Sequence, residues 1–168
     1  MSMTMVNNGH KVLAKSVFNE DFHLAWGQTP EGFDTTGWNS GETPPTEDTK
    51  ATSLLGEIGR RISTFKSYVT DDPNGTIVAN NSTWSQSTEP TRHIYLQFKF
   101  EASDASDKVI RQVGLFQGSV KKDTVEVGKL FLQPSDLEDE GILFMYQNIE
   151  PVSRNASTRE IYEYVITF

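Results

Sequence analysis

Three histidines, His10, His23 and His93, are the side chains best suited to acid–base or metal chemistry near neutral pH. They lie far apart in the sequence, and no two stand at the spacing that zinc sites use. We therefore interpret His23 as a polar-face residue of a strand. The sequence also has no HExxH pair, no GxSxG elbow and no phosphate-binding glycine loop. We predict no catalytic residue, no metal site and no cofactor.

Acidic side chains are the second group that could do chemistry. Two adjacent pairs, Glu20 with Asp21 and Asp71 with Asp72, could serve a glycosidase, but both stand at turn-like points where solvated acids are common. A denser cluster comprises Asp136, Glu138, Asp139 and Glu140. Its spacing lacks the alternating ligands of an EF-hand calcium loop, so we interpret it as a solvated loop or a helical turn.

The overall charge argues against a protein that binds nucleic acid. The 168 residues carry a formal net charge of -8, whereas proteins that neutralise phosphates present a basic face. Arg60, Arg61 and Lys66 are the densest basic residues before Lys121 and Lys122. No sequence-specific nucleic-acid binding is expected. The absence of cysteine excludes a disulfide framework and a thiolate zinc site.

Length and hydrophobicity set the domain organisation. A hydrophobic content of 36% in 168 residues fits a single structural domain over residues 1–168. The first 21 residues contain no long apolar run that could serve as a signal peptide or a membrane span. We therefore expect a soluble protein made in a cytoplasm, with no membrane partner.

Residues 27–50 are rich in proline, glycine, threonine and acids, which predicts an extended loop without regular structure. Loops of this length in compact domains often make contacts, so we expect a contact arm that is mobile in the free protein and ordered in an assembly. Phe33 and Trp38 could anchor a protein partner there. Alternatively, Trp26, Trp38 or Trp84 could stack on sugars in a carbohydrate-binding module.

Two neighbouring strands are predicted around the middle of the chain. Residues 94–100 alternate between apolar and polar side chains, as in a strand with one face on a core. Residues 109–116 are apolar on parts of both faces, which is typical of a central strand. Because only a short polar interval separates them, we predict that they pair as an antiparallel hairpin.

The remaining pattern predicts a mainly β protein. Further strands are expected at residues 22–27, 62–69, 77–84, 129–132, 142–149 and 160–168. Asp72-Pro73-Asn74-Gly75 predicts a reverse turn, and two short helices should begin at Asn8 or Gly9 and at Thr49 or Thr52. The predicted fold class is α+β, mainly β, with antiparallel sheets in a sandwich-like arrangement, two short helices and the long proline- and glycine-rich excursion.

Three stretches carry a family resemblance. They read Phe22-His23-Leu24-Ala25-Trp26-Gly27, then Ala51-Thr52-Ser53-Leu54-Leu55-Gly56-Glu57-Ile58-Gly59-Arg60-Arg61, then Val109-Ile110-Arg111-Gln112-Val113-Gly114-Leu115-Phe116. In this order they resemble the tail-collar and tail-fibre N-terminal family and the small neck, or collar, proteins of contractile-tailed bacteriophages. Gln112 stands where that family often has an acid, and the chain stops where fibre proteins continue into a shaft. The resemblance therefore implies a compact component rather than a complete fibre.

The resemblance implies a structural role in a virion rather than an enzyme. We expect a multicopy collar or neck component of the tail that assembles in the host cytoplasm. Its copies should form a symmetric homo-oligomeric ring that contacts other phage tail or neck proteins. The alternatives are a baseplate or fibre-attachment subunit of the tail, the carbohydrate-binding module, and a hydrolase with an unrecognised site.

Two groups of residues are the candidates for these roles. The candidate partner contacts are Phe33, Trp38, Arg60 and Arg61. The candidate acidic rim comprises Asp136, Glu138, Asp139 and Glu140. In a component that surrounds the tail axis, such a rim would face the channel and repel the DNA that passes through it.

Overall fold

The computed structural model describes residues 3–168, and antiparallel strands dominate this part of the chain. One α-helix and twelve strands occur there: α1 (Asn7–Phe18), β1 (Phe22–Gly27), β2 (Glu57–Ile62), β3 (Phe65–Asp71), β4 (Ile77–Ala79), β5 (Ser82–Ser87), β6 (His93–Phe100), β7 (Val109–Gln117), β8 (Val120–Lys121), β9 (Phe131–Leu132), β10 (Leu137–Asp139), β11 (Ile142–Ser153) and β12 (Glu160–Thr167). A single 3-10 turn spans Pro134–Asp136.

The strands form two larger sheets and one small one. The first five-stranded sheet has the order β11-β7-β1-β2-β9, and the second has the order β12-β6-β3-β5-β4. Strands β10 and β8 form a separate two-stranded sheet. The pairs β1–β2, β1–β7, β11–β7, β3–β5, β3–β6 and β4–β5 are all antiparallel. The prediction of a mainly β fold with antiparallel sheets is confirmed.

The chain divides into two compact units, each assembled from separate pieces of sequence. Unit 1 contains residues 3–20, Ser63–Lys99 and Ile161–Phe168, and unit 2 contains Asp21–Ile62 and Phe100–Glu160. A single structural domain stays a prediction.

Unit 1 combines α1 with the strands of the second sheet. The predicted first helix is confirmed, and Phe18 stacks on Tyr68 of β3 with ring centroids 4.0 Å apart. The sheet's own core consists of Val69, Ala79, Trp84, Tyr95 and Val165. These side chains come from five different strands, so the core joins both ends of the sheet.

The side chain of Asn80 connects the two edge strands of this sheet. Asn80 and Asn81 both have positive φ angles, 53° and 58°, as the two-residue type I′ turn between β4 and β5 requires. The Asn80 side chain donates from Nδ2 to the carbonyl of Val165 at 2.7 Å and accepts from its N–H at 3.4 Å. Since β4 and β12 stand at opposite ends of the strand order, this amide joins the two edges.

Unit 2 is built around β1, the strand predicted at residues 22–27. All six residues of β1 are buried, and the strand lies between β2 and β7. Trp26 stacks on Phe100 with ring centroids 3.8 Å apart. Gly27 leaves no room for a side chain, since a Cβ there would lie 2.9 Å from the Leu55 carbonyl oxygen. The glycine at the end of this strand is therefore required by packing.

The predicted hairpin of residues 94–100 with 109–116 is wrong. Strand β6 lies between β12 and β3, whereas β7 lies between β11 and β1 in the other sheet. The connecting residues do not form a hairpin loop, because Asp104 within them accepts from the Arg61 guanidinium at 2.6 Å and from the N–H of Glu101 at 2.8 Å. The ion pair between Arg61 of β2 and Asp104 fixes the segment between β6 and β7 away from a hairpin conformation.

The second predicted helix is also wrong, since the residues after Thr49 lead directly into β2. Gly56 has a φ of +47°, and a Cβ there would lie 2.7 Å from the carbonyl oxygen of Gln28. This backbone conformation interrupts a helix, and β1 offers the following residues a partner strand. Pairing between distant segments has overridden the helical spacing of the local apolar residues.

Smaller differences concern strand limits. The turn predicted at Asp72–Gly75 is confirmed, with the N–H of Gly75 donating to the Asp72 carbonyl at 2.8 Å. The strand expected at 77–84 is divided by the Asn80–Asn81 turn. Strand β3 begins at Phe65 instead of Ile62.

Candidate functional site: a loop fastened to strand β11

The long connection between β1 and β2, residues 28–56, contains no helix or strand. It runs along β11, which stands at the end of its sheet and, within residues 3–168, pairs with β7 alone. An edge strand of this kind has unpaired backbone groups on its outer side, which proteins commonly cover. We call the contacts between residues 38–48 and β11 the loop latch.

Trp38 is the apolar part of the latch. Its indole Nε1 donates to the Ile149 carbonyl at 2.9 Å, and the residue is only 3% exposed. Beside it, the Gly41 N–H donates to Glu150 Oε1 at 2.7 Å and the Ser40 hydroxyl donates to the same oxygen at 3.2 Å. The tip of the loop is thus bound to two consecutive residues of β11.

Asn148 is the polar centre of the latch and is buried. Its backbone N–H donates to Glu47 Oε1 at 2.9 Å, and its Nδ2 donates to the Pro45 carbonyl at 2.8 Å. Its Oδ1 accepts from Gln112 Nε2 at 2.8 Å, and Gln112 Oε1 in turn accepts from the Leu55 N–H at 2.6 Å. The hydrogen bonds therefore run from the loop through β11 to β7 and back to the loop.

A groove lies between the loop and the first half of β11. It has a volume of about 390 Å³ and is lined by Glu47, Asp48, Thr49, Ala51, Leu143, Phe144, Met145 and Tyr146. At one end the Tyr146 hydroxyl accepts from the backbone N–H of Asp48 and donates to its carbonyl. This side chain therefore bonds strand β11 to the loop beside the groove.

Arg60 and Arg61 do not form a surface pair. They are neighbours in a strand, so their side chains point to opposite faces, and both are buried. Arg60 forms two bonds with the Glu57 carboxylate at 2.8 and 2.6 Å, and its guanidinium lies 3.8 Å from the centroid of the Phe116 ring. Arg61 makes a two-point pair with Asp104 at 2.6 and 3.0 Å.

Three of the four candidate partner contacts are therefore occupied within the chain. Trp38, Arg60 and Arg61 are each at least nine-tenths buried, whereas Phe33 is 42% exposed. The burial of the three has one cause, because each offers N–H donors that bond to acceptors of unit 2. Phe33 is the member of this group whose side chain remains available to a partner.

The acidic cluster is divided between paired and exposed groups. Asp136 accepts from Lys129 Nζ at 2.6 Å, and this bond lowers the pKa of the Asp136 carboxyl. The side chains of Glu138, Asp139 and Glu140 are exposed. In the part of the chain from residue 3 onward, no group of three or more acidic or histidine side chains could hold a metal ion.

His23 lies in strand β1, as predicted, but its side chain is buried and does not stand on a polar face of the strand. It is 5% exposed, and burial, helped by the positive charge of Arg60, lowers its pKa to about 4. Its Nδ1 has no hydrogen-bond partner among residues 3–168. The imidazole is therefore neutral near pH 7.

The tryptophans are not platforms for sugars. Trp26, Trp38 and Trp84 are 0%, 3% and 8% exposed, so their rings are not available for stacking. The arrangement offers a rigid polar network, an acidic and apolar groove and an edge strand. These are features of a surface that binds other proteins.

Sequence reasoning missed the residues at the centre of the latch. Gln112, Asn148 and Glu150 lie in strands as isolated polar residues, which read as solvent-facing positions. Gln112 carried one signal, because it stands where the resembling family often has an acid. The amide donates to Asn148 and accepts from Leu55, and a carboxylate could not do both.

Comparison with known proteins identifies the family. A model of the baseplate wedge 3 tail fiber network component family matches residues 2–168. The chain belongs to that family. Virion protein 3 of Enterococcus phage phiEF24C is 24% identical to this chain over 180 residues, covering 98% of this chain and 95% of that protein.

The chain is therefore a virion structural protein associated with a phage tail or baseplate. The resemblance to phage tail proteins is confirmed at this level. Among residues 3–168, no helix has the length and apolar character needed to cross a membrane.

Proposed function

We propose that this protein is a multicopy baseplate subunit that joins the wedge to neighbouring proteins of the tail-fibre network and has no catalytic activity. The family model that matches residues 2–168 supports the proposal, because its description names a baseplate wedge and a tail fiber network. The function is to present fixed surfaces to several neighbours.

The internal bonding of unit 2 supports a rigid connector. Arg60 and Arg61 each have a carboxylate partner within the chain, and the long loop is bonded to β11. Removing one partner of a buried ion pair typically costs about 3–5 kcal/mol, so these contacts resist local rearrangement. A connector that keeps neighbours at fixed distances needs this property.

The proposal also concerns where in the tail the protein lies. A collar or neck subunit would need the same kind of rigid surfaces, and a symmetric ring of copies fits either place. The family description favours the baseplate. We therefore propose the baseplate as the position, with repeated copies around the tail axis.

Labelled virions test this position. An epitope inserted after Val127, which is 96% exposed, marks unit 2, and a second epitope within the Asp72–Gly75 turn marks unit 1. We expect antibody-bound gold from both labels at the baseplate end of the tail, with more than one copy per particle. Label at the junction of head and tail would overturn the baseplate position, and virions without label would overturn the structural role.

A further inference from the structure

The groove beside β11 combines an apolar wall with an acidic wall. Leu143 and Met145 come from the strand and Ala51 from the loop, and Met145 is 52% exposed. Ile142, at the start of the strand, is 71% exposed. Exposed apolar side chains next to an incompletely covered edge strand are typical of places where an extended segment docks.

The opposite wall carries unpaired acceptor atoms. Glu47 uses Oε1 for the Asn148 N–H, and Asp48 uses Oδ1 for the Lys50 N–H. In the described chain, Glu47 Oε2 and Asp48 Oδ2 accept no hydrogen bond from another residue. None of the lining residues among residues 3–168 is basic, so the groove has no cation of its own.

The surroundings add negative charge. The exposed residues Glu138, Asp139 and Glu140 are separated from β11 by a single glycine, Gly141. Lys50 is the basic neighbour in sequence, and its side chain is not part of the lining. An occupant that places a lysine or arginine between the carboxylates and an apolar side chain against Met145 would satisfy both walls.

We propose that this groove binds an extended, basic segment of another virion protein, in which Lys or Arg residues alternate with apolar residues. The segment lies along the outer side of β11 near residues 142–146, with its basic side chains toward Glu47 and Asp48. This proposal rests on the proposed function, because it states which kind of segment one neighbouring protein of the fibre network would offer to this groove.

A binding experiment with purified full chain tests the chemistry. The probe is a fluorescent peptide of alternating lysine and valine, and its control alternates glutamate and valine. We expect fluorescence anisotropy to detect the lysine peptide alone, with affinity that falls as salt is raised. Equal binding of both peptides, or of neither, would overturn the proposal.

Two matched double variants locate the binding. Glu47→Gln with Asp48→Asn removes both charges but keeps the oxygen atoms that accept from Asn148 and Lys50. We expect about a tenfold loss of affinity for the lysine peptide, since two charge pairs with the peptide are lost. Glu89→Gln with Asp107→Asn removes two exposed charges elsewhere and should leave affinity unchanged. Equal losses in both double variants would overturn the assignment to the groove.

A photo-crosslink in assembled virions identifies the occupant. A benzophenone amino acid replaces Met145, and the control replaces Val78, an exposed apolar residue of unit 1. The expected product joins Met145's position to a basic, extended segment of a different virion protein. A crosslink to a second copy of this chain, to an acidic segment or to nothing would overturn the inference. Gold at the baseplate would leave the proposed function standing in each of these cases.

Discussion

His23 links burial to acid stability. Its pKa of about 4 lies well below the ordinary value of 6.5, because burial disfavours the charged imidazole and Arg60 adds a like charge. In the unfolded chain the same side chain takes up a proton as the pH falls below about 6.5. The folded protein therefore has the full contribution of a neutral His23 above that pH and loses it as the pH falls toward 4.

We predict that the free energy of unfolding falls by about 3 kcal/mol between pH 6.5 and pH 4 through this residue, because each pKa unit corresponds to about 1.4 kcal/mol. His23→Gln removes the titration and should make the fall smaller by that amount. Urea unfolding at pH 7, 5.5 and 4.5 measures it. Wild type and variant with the same pH dependence would show that His23 titrates equally in both states.

Arg60 and Arg61 show the limit of sequence reasoning at single residues. Adjacent arginines suggest a common basic patch, but a strand directs them to opposite faces. Their acceptors lie at different distances along the chain, with Glu57 three residues away and Asp104 in the connection after β6. The sequence around Arg60 therefore already includes its partner, Glu57. The partner of Arg61, Asp104, can be identified only from the folded structure.

At the level of the elements, the contact arm that is mobile in the free protein stays a prediction, and the loop latch favours the opposite outcome, an ordered loop in the isolated protein. We predict that backbone amides of Gly41, Asp48 and Leu55 exchange slowly with solvent in the isolated protein, since each donates to an acceptor outside the loop's own turns. Hydrogen exchange followed by NMR measures these amides directly. Rapid exchange of all three in the wild type would contradict the latch.

One substitution separates the latch from the rest of the loop. Trp38→Phe keeps an aromatic ring but removes the N–H that donates to Ile149, which should cost about 1 kcal/mol and speed latch exchange by about fivefold. Phe33→Leu, at an exposed position in the same loop, is the control and should leave the rates unchanged.

Elements with strong local signals were the ones that the sequence predicted. Helix α1 and the Asp72–Gly75 turn depend on neighbours a few residues away, and strand β1 was recognisable from its own short run ending in glycine although its partner strands are distant; all three are confirmed. The predicted β6–β7 hairpin is wrong because each strand pairs with segments more distant in the sequence: β6 with β3 and β12, and β7 with β1 and β11. The latch could not be predicted, since its bonds join residues about 100 positions apart, as in Asn148 with Glu47, whose separation is 101.

At the scale of the whole molecule, the two units are interleaved along the sequence. Unit 1 needs its last piece, Ile161–Phe168, because Val165 belongs to its core and its backbone bonds to Asn80. We predict that deleting residues 161–168 removes slow hydrogen exchange from β3, β5 and β6 while β1 keeps it. The full chain measured under the same conditions is the reference, and loss of protection in β1 as well would contradict separate units.

Interleaving also determines the order in which sheets can be completed during translation. Strand β1 is buried on both sides in the finished protein, yet its partner β7 leaves the ribosome after the whole of β3 to β6. Until then Phe22, Leu24 and Trp26, which are buried in the finished protein, lie in a strand that lacks one of its two partners. A nascent chain of this kind exposes an apolar strand until β7 has been made, and transiently exposed strands of this type make folding intermediates prone to aggregate.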